Sequence, residues 1–368
     1  MGTSRGLKIV SVVGARPNFV KLSPVARALA ARADVSHQIV HTGQHYDPLL
    51  SDRFFEELEI PAPDFNLEVG SGTHAKQTAA VLERIEPLCQ RLRPDWLLVY
   101  GDVNSTVAAA LAAAKIGVRV AHVEAGLRSG DRTMPEEHNR VVTDHLADLL
   151  LVPSRDAADN LEREGIARDR IAFVGNVMID TLVRALPAAR SLATHEQLGL
   201  RTGSFVLVTL HRPSNVDDPA ILGELCDALA EVQRRRQVVF PVHPRSREQL
   251  KQWDLTRRLG GVCLIDPIPY LGMLSLIDSA GLVITDSGGV QEETTFLGVP
   301  CLTVRPNTER PITLTHGTNK LLPPTREALV GACQNGFSRR TPPPVLEKWD
   351  GAAGERIVQV LCDGARFD

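Results

Sequence analysis

Neither sign of charge dominates this chain. It has 41 Lys and Arg against 44 Asp and Glu, a formal net charge of −3. That balance asks for neither nucleic acid nor an anionic membrane, so any bound phosphate must be met by a few placed cations and backbone amides. Long apolar runs are also missing. The longest stretch near the middle, Val107 to Ile116, is interrupted by Lys115 and is too short to cross a bilayer. Near the N-terminus only Leu7 to Val13 is apolar before Arg16, whereas a secretory signal needs a longer core and a small-residue cleavage site. The cysteines, Cys89, Cys226, Cys263, Cys301, Cys333 and Cys362, show no C-x-x-C spacing. That argues against a zinc site or a disulfide framework and fits a reducing cytoplasm. Without a signal peptide, the glycosylation-like Asn104-Ser105-Thr106 reads as chance. No Gly-x-Gly-x-x-Gly follows the first apolar run, which argues against a nicotinamide cofactor, and there is no P-loop. The expectation is a cytoplasmic protein without metal or cofactor.

What is present is a repeated unit: a short β-branched run, a Gly or polar turn, then an amphipathic segment. Lys8–Val13, Trp96–Tyr100 and Arg119–Val123 read as strands in the first half; Phe205–Leu210, Val238–Pro241 and Leu282–Thr285 do so in the second. Helices are expected from the Arg16 region through Ala30, over the alanine-rich stretch to Lys115, and from Pro135. Alternating strands and helices predict parallel sheets with ligands beyond the strands' carboxyl ends. At 368 residues the chain suits two domains. We expect an α/β protein of two Rossmann-like, doubly wound halves facing across a cleft. The first is 1–182, rejoined by a C-terminal helix over 350–368; the second is 183–349.

Four groups of residues sit where strands end. In Gly14-Ala15-Arg16-Pro17-Asn18-Phe19-Val20-Lys21, a tight turn feeds a helix whose amides point at the ligand side, with Arg16 and Lys21 about one turn apart. The alternative is a solvated Arg and Lys. In Thr285-Asp286-Ser287-Gly288-Gly289, two glycines open a helix as an anion cradle, with Ser287 as a hydroxyl donor, Glu293 one turn on and Arg310 downstream. An ordinary capped turn is the alternative. Asp102 and Glu124 directly follow apolar strands, where an acid without a purpose is costly. Glu136 and Glu137 lie about 100° apart on a helix, so one serves the site while the other pairs with Arg140. The alternatives are Asp102 as a cap and a glutamate paired with Arg128 or Arg132. His211 and His243 end strands and suit phosphate donation or acid–base work, without metal-ligand spacing. His41 and His45 lie in a loop and remain ambiguous.

Taken together, Gly14-Ala15-Arg16-Pro17, His41-Thr42-Gly43-Gln44-His45, Tyr100-Gly101-Asp102, His122-Val123-Glu124-Ala125-Gly126-Leu127-Arg128, Pro135-Glu136-Glu137-His138-Asn139-Arg140, His211-Arg212, Asp286 through Glu293 and Thr308-Glu309-Arg310-Pro311 resemble the non-hydrolysing UDP-N-acetylglucosamine 2-epimerases. The resemblance covers nearly the whole chain and implies the glycosyltransferase-B type of architecture. It also implies C2 inversion of UDP-N-acetylglucosamine by elimination and re-addition of UDP, without metal or redox cofactor. It places Asp102, Glu124 and Glu136 as acid/base groups and His211 at the diphosphate. Arg16, Lys21, Met273, Ser287, Gly288, Gly289, Glu293 and Arg310 become UDP-sugar contacts. Gln44, Gln77, Glu137, Arg212 and His243 match a second, activating substrate site, and a homodimer is implied. Departures are Ala15 and Asn18 where Thr and Glu are common, Lys76 for an arginine, and Pro213-Ser214 after His211-Arg212. The rival readings are a retaining glycosyltransferase of the same architecture, a hydrolysing epimerase and an inactive nucleotide-sugar sensor. The cluster of three acids argues against transfer, which needs no C2 proton chemistry.

Overall fold

The computed structural model describes residues 6–44, 55–334 and 342–364. The chain divides into two compact units, one running to Arg184 and taking in the chain from Glu347 onward, the other Ala185–Leu346. The first unit is built on seven parallel strands: β1 (Leu7–Val13), β2 (Val35–His41), β3 (Phe65–Asn66), β4 (Trp96–Tyr100), β5 (Arg119–Val123), β6 (Leu149–Val152) and β7 (Ile171–Phe173), in the order β3-β2-β1-β4-β5-β6-β7. The second has six: β8 (Val206–Thr209), β9 (Val238–Pro241), β10 (Cys263–Ile265), β11 (Leu282–Thr285), β12 (Cys301–Val304) and β13 (Asn319–Leu322), in the order β10-β9-β8-β11-β12-β13. Each sheet is doubly wound, reversing its strand order beside its first strand, as expected for the glycosyltransferase-B type. No described helix is long and apolar enough to cross a membrane.

The central strands are uniformly apolar because helices cover both sheet faces. Trp96 through Tyr100 are all buried. The helices that bear on the site are α1 (Arg16–Ala30), α2 (His74–Leu92), α3 (Asn104–Lys115), α4 (Pro135–Leu146), α5 (Val177–Leu192), α6 (Tyr270–Ser279), α7 (Gly288–Leu297) and α8 (Ala353–Gly364). In α3 the buried residues include Ala108, Ala109, Ala110, Ala112 and Ala113, whose small side chains let the helix lie close to the sheet. Pro135 occupies the first turn of α4, where no amide is lost. Register then fixes the site. Tyr100 of β4 pairs with Val123 of β5, so Gly101-Asp102 and Glu124 emerge side by side. Thr285 pairs with Thr209, which sets Asp286 beside the chain leaving β8. The expected strand Phe205–Leu210 is shorter than its apolar pattern, covering only Val206–Thr209. Past that point the chain turns away, because the His211 amide donates to the Asp286 carboxylate at 2.9 Å.

The returning helix α8 packs on α1, and one acid clasps it. Asp180 of α5 accepts from the Ala353 amide at 3.1 Å and the Gly354 amide at 2.7 Å, satisfying two of the donors that every helix start leaves open. Burial raises this carboxyl while the two amides pull it back. A Cβ on Gly354 would lie 2.8 Å from the Pro24 carbonyl oxygen, so glycine is required for the close approach of α8 to α1. Asp180→Ala is expected to lower stability in urea by about 1–3 kcal/mol. It should also speed amide exchange in Ala353–Gly364 ahead of the rest; uniform exchange along the chain would contradict the clasp.

Candidate active site

In the first unit, the turn after β1 is drawn to the end of β4 by Asn18. Its side-chain oxygen accepts from the Gly14 and Ala15 amides at 3.1 and 3.2 Å, and its amide donates to the Tyr100 carbonyl at 2.8 Å. A Cβ on Gly14 would fall 2.2 Å from Ser105 Oγ, so this turn admits only glycine. Arg16 opens α1, and its side chain lies outside the described residues, as does His45. Lys21, one turn further along α1, forms a buried ion pair with Glu124 at 2.9 Å. The Lys21 ammonium also lies where a Cβ on Gly101 would come within 2.5 Å, and Gly101 itself has a φ of +62°. Glu124 has a φ of 69°, a left-handed conformation that costs a side-chain-bearing residue on the order of 1–3 kcal/mol. Strain of this kind gathers at functional sites.

The remaining acids divide their work. Asp102 does not cap α3, whose N-cap is Val103; its carboxylate pairs with Arg140, and its carbonyl accepts from Asn139 at 2.9 Å. Glu137 is buried and saturated, accepting from the Ser129 amide and hydroxyl, the Gly130 amide and Arg140 at 2.9–3.0 Å. Glu136, on the same turn, is half-buried and has no side-chain partner among the described residues. Arg128 takes neither glutamate: it binds Asp144 at 2.7 Å and Glu164 at 2.7 Å. Gln44 and Gln77 are brought together at the start of α3. Gln44 accepts from the Ser105 amide and hydroxyl at 3.1 and 2.7 Å, and Gln77 accepts from Asn104 at 2.9 Å while donating to the Gln44 carbonyl at 3.3 Å.

In the second unit Asp286 organises the approach to an anion cradle. It is fully buried and accepts from the His211 and Arg212 amides, from Asn215, and from His211 Nδ1 at 3.0 Å. These donors hold its carboxyl below the usual range against the effect of burial. With Nδ1 committed, His211 presents Nε2, and its ring lies 5.4 Å from that of His243, whose Nδ1 accepts from the Arg245 amide. Ser287 is the N-cap of α7, yet its hydroxyl makes no capping bond, and the first turn of α7 has no acid. Such a helix start favours an anion. Against it lies Arg310, clustered with Arg305 and Arg212. Glu309 meets Arg305 at 2.8 Å, Arg310 at 2.9 Å and Arg212 at 3.4 Å, and Glu292 meets Arg310 at 3.1 Å. Three guanidinium groups thus gather around Glu309, and Arg310 is shared with Glu292. Gly288 makes room for the cluster: a Cβ there would sit 2.5 Å from Arg310 Nη1. Gly289 follows in the same turn, and Met273 is half-buried on α6. Glu293, deeper along α7, is buried beside Tyr270, and burial with the neighbouring Glu292 pushes it up to about 7.

Sequence reasoning singled out neither Arg305 nor Tyr270. Arg305 directly follows β12, so its place at a strand end was a usable signal; Tyr270 opens a helix on an apolar background and gave none. Among the described residues, no three His, Cys, Asp or Glu side chains gather as a metal site.

Set against known proteins, residues 27–362 match the family model described as UDP-N-acetylglucosamine 2-epimerase. A UDP-2,3-diacetamido-2,3-dideoxy-D-glucuronate 2-epimerase from Pseudomonas aeruginosa is 42% identical, over 96% of this chain and 99% of that one. The crystal structure of the Methanocaldococcus jannaschii UDP-GlcNAc 2-epimerase in complex with UDP-GlcNAc and UDP is 40% identical, with a TM-score of 0.90, covering 97% of this chain and 100% of that one. A UDP-glucosyltransferase from Polygonum tinctorium shares the fold alone, with a TM-score of 0.60 at 14% identity, over 98% of this chain and 99% of that one.

Glu293 gives this site a pH signature. Between its ordinary value of 4.5 and about 7, the unfolded chain has released this proton while the folded chain retains it. Stability contributed by Glu293 therefore falls as pH rises through that window, by at most about 1.4 kcal/mol per pH unit. His37, kept neutral by burial down to about 4, acts in the opposite sense over an overlapping range. The urea-stability difference between wild type and Glu293→Gln isolates the effect, and a difference flat from pH 4.5 to 7 would contradict the burial of a protonated Glu293.

Proposed function

The chain belongs to the UDP-N-acetylglucosamine 2-epimerase family, and from that premise we propose that it interconverts UDP-N-acetylglucosamine and UDP-N-acetylmannosamine without releasing the sugar. The C2 proton passes to a carboxylate, and the C1–O bond breaks with its electron pair leaving on UDP. UDP then re-adds to the 2-acetamidoglucal while a proton reaches the opposite face of C2. Such a reaction needs acid–base groups and strong support for the leaving diphosphate. The observation that carries the reading is the set of acids at the ends of β4 and β5 and on α4. Asp102 is paired with Arg140, Glu124 is strained and paired with Lys21, and Glu136 has no partner among the described residues.

Within the second unit, the α7 amides, Ser287 and the Arg212–Arg305–Arg310 cluster suit a diphosphate. His211 Nε2 suits a donor to the departing oxygen, and Glu293 suits the ribose hydroxyls. Arg16 and Met273 complete the UDP-sugar contacts, and we take a cytoplasmic homodimer as the working form. The 42% identity to the Pseudomonas aeruginosa relative favours one second reading: the same C2 chemistry on a sugar with a 3-acetamido group and a 6-carboxylate.

Proton NMR in deuterated water decides between these. Incorporation at C2 with a second UDP-sugar appearing from UDP-N-acetylglucosamine is the expected result. Free sugar and UDP would mean hydrolysis, and exchange only with the diacetamido uronate would establish the second reading. Asp102→Asn, Glu124→Gln and Glu136→Gln should each lower kcat by roughly two orders of magnitude or more; near-normal turnover in all three would refute the mechanism. Arg310→Ala should weaken UDP binding in calorimetry, and unchanged affinity would remove it from the cradle.

A further inference from the structure

His122 lies on β5 two residues before Glu124, fully buried, and both of its ring nitrogens face acceptors. Nδ1 is 2.6 Å from an oxygen of Asp144, and Nε2 is 2.7 Å from the carbonyl oxygen of Gly101. A carbonyl oxygen can only accept, so Nε2 carries a hydrogen. At the other side, the second oxygen of Asp144 already receives the Gly126 amide at 3.1 Å and the Arg128 guanidinium at 2.7 Å. An amide and a guanidinium on the same oxygen favour an ionised acid. Nδ1 must then be a donor as well.

The bonds reach the segments that carry all three acids of the proposed mechanism. Gly101 is the residue before Asp102. Helix α4 carries Glu136, Arg140 and Asp144 at four-residue spacing, hence on one face. Arg140 grips the Asp102 carboxylate, Asn139 the Asp102 carbonyl, and Asp144 the Gly101 carbonyl through the ring. The ring itself stands on the strand that ends at Glu124. We propose that His122, held as an imidazolium between Asp144 and the Gly101 carbonyl, is a positioning residue that sets Asp102, Glu124 and Glu136 in register for the C2 chemistry. This role rests on the epimerase reading, while the protonation state of the ring does not.

Two measurements on the full-length protein test it. The first is long-range nitrogen-15 NMR of the histidine rings, with His122 assigned by its loss in His122→Phe, recorded from pH 6 to 9. Both ring nitrogens are expected to be protonated throughout, with one proton lost in Asp144→Asn; a neutral single tautomer in the wild type would overturn the proposal. The second is kinetic. His122→Phe should lower kcat by ~100-fold or more with KM within about threefold, and with UDP affinity unchanged in calorimetry. An unaltered kcat would overturn the positioning role, and so would a loss confined to KM. Should His122→Phe fail to fold, His122→Gln takes its place for both assignment and kinetics. A wild type inactive on every UDP-sugar would strike at the epimerase reading, while the ring spectrum would still report its protonation.

Discussion

The carbonyl oxygen of Tyr100 accepts at 2.8 Å from the Asn18 side chain and at 2.8 Å from the Thr106 hydroxyl, and these two bonds decide where β4 stops and what gathers there. Asn18 brings the turn after β1, and Thr106 brings the first turn of α3. A strand-end carbonyl would otherwise continue the ladder or face water. Because it is taken by side chains instead, Gly101 can turn into the left-handed region and release Asp102 from the sheet. Parallel pairing with β5 does the rest, delivering Glu124 one step away. The buried Tyr100 hydroxyl, bonded to Ser11 at 2.9 Å, pins the same strand to β1 from below. Asp102 and Glu124 thus leave strand ends that side chains pin from two directions.

The two units solve their electrostatic problems in different ways. In the first, three cations serve five acids: Lys21 for Glu124, Arg140 for Asp102 and Glu137, Arg128 for Asp144 and Glu164. Such pairing offsets the cost of burying charge. In the second unit one acid serves several cations, Glu309 meeting Arg212, Arg305 and Arg310.

Much of this was legible in the sequence because the fold is repetitive. Apolar runs ending in Gly, Asp, Glu or His mark strand ends, and strand ends in parallel sheets are where ligands bind. Boundaries for β4, β5, β9 and β11 follow from apolar pattern alone. β8 does not, since Leu210 is apolar yet lies outside the ladder, and only the Asp286 carboxylate explains why. Partner choice was less legible. The pairing of Arg128 with Asp144 and Glu164, 16 and 36 residues away, depends on where α4 and the end of the helix Arg155–Arg163 lie. Glu136 and Glu137 could be split by helical geometry, but which one faces Arg140 is settled by the nest of donors around Ser129 and Gly130.

The Asp180 clasp on α8 bears on how the chain is made. The first unit is not contiguous: it pauses at Arg184, and resumes only at Glu347, after the whole second unit has been read out. A ribosome delivers residues in order, and domains usually fold as they emerge. Here the contiguous second unit can close as soon as its own strands are complete. The first must wait, with the α1 surface that α8 will cover exposed, for a helix some 170 residues downstream of Asp180. Nascent chains of this protein should therefore mature out of order, the second half before the first, with the last helix acting as the latch on what was synthesised first.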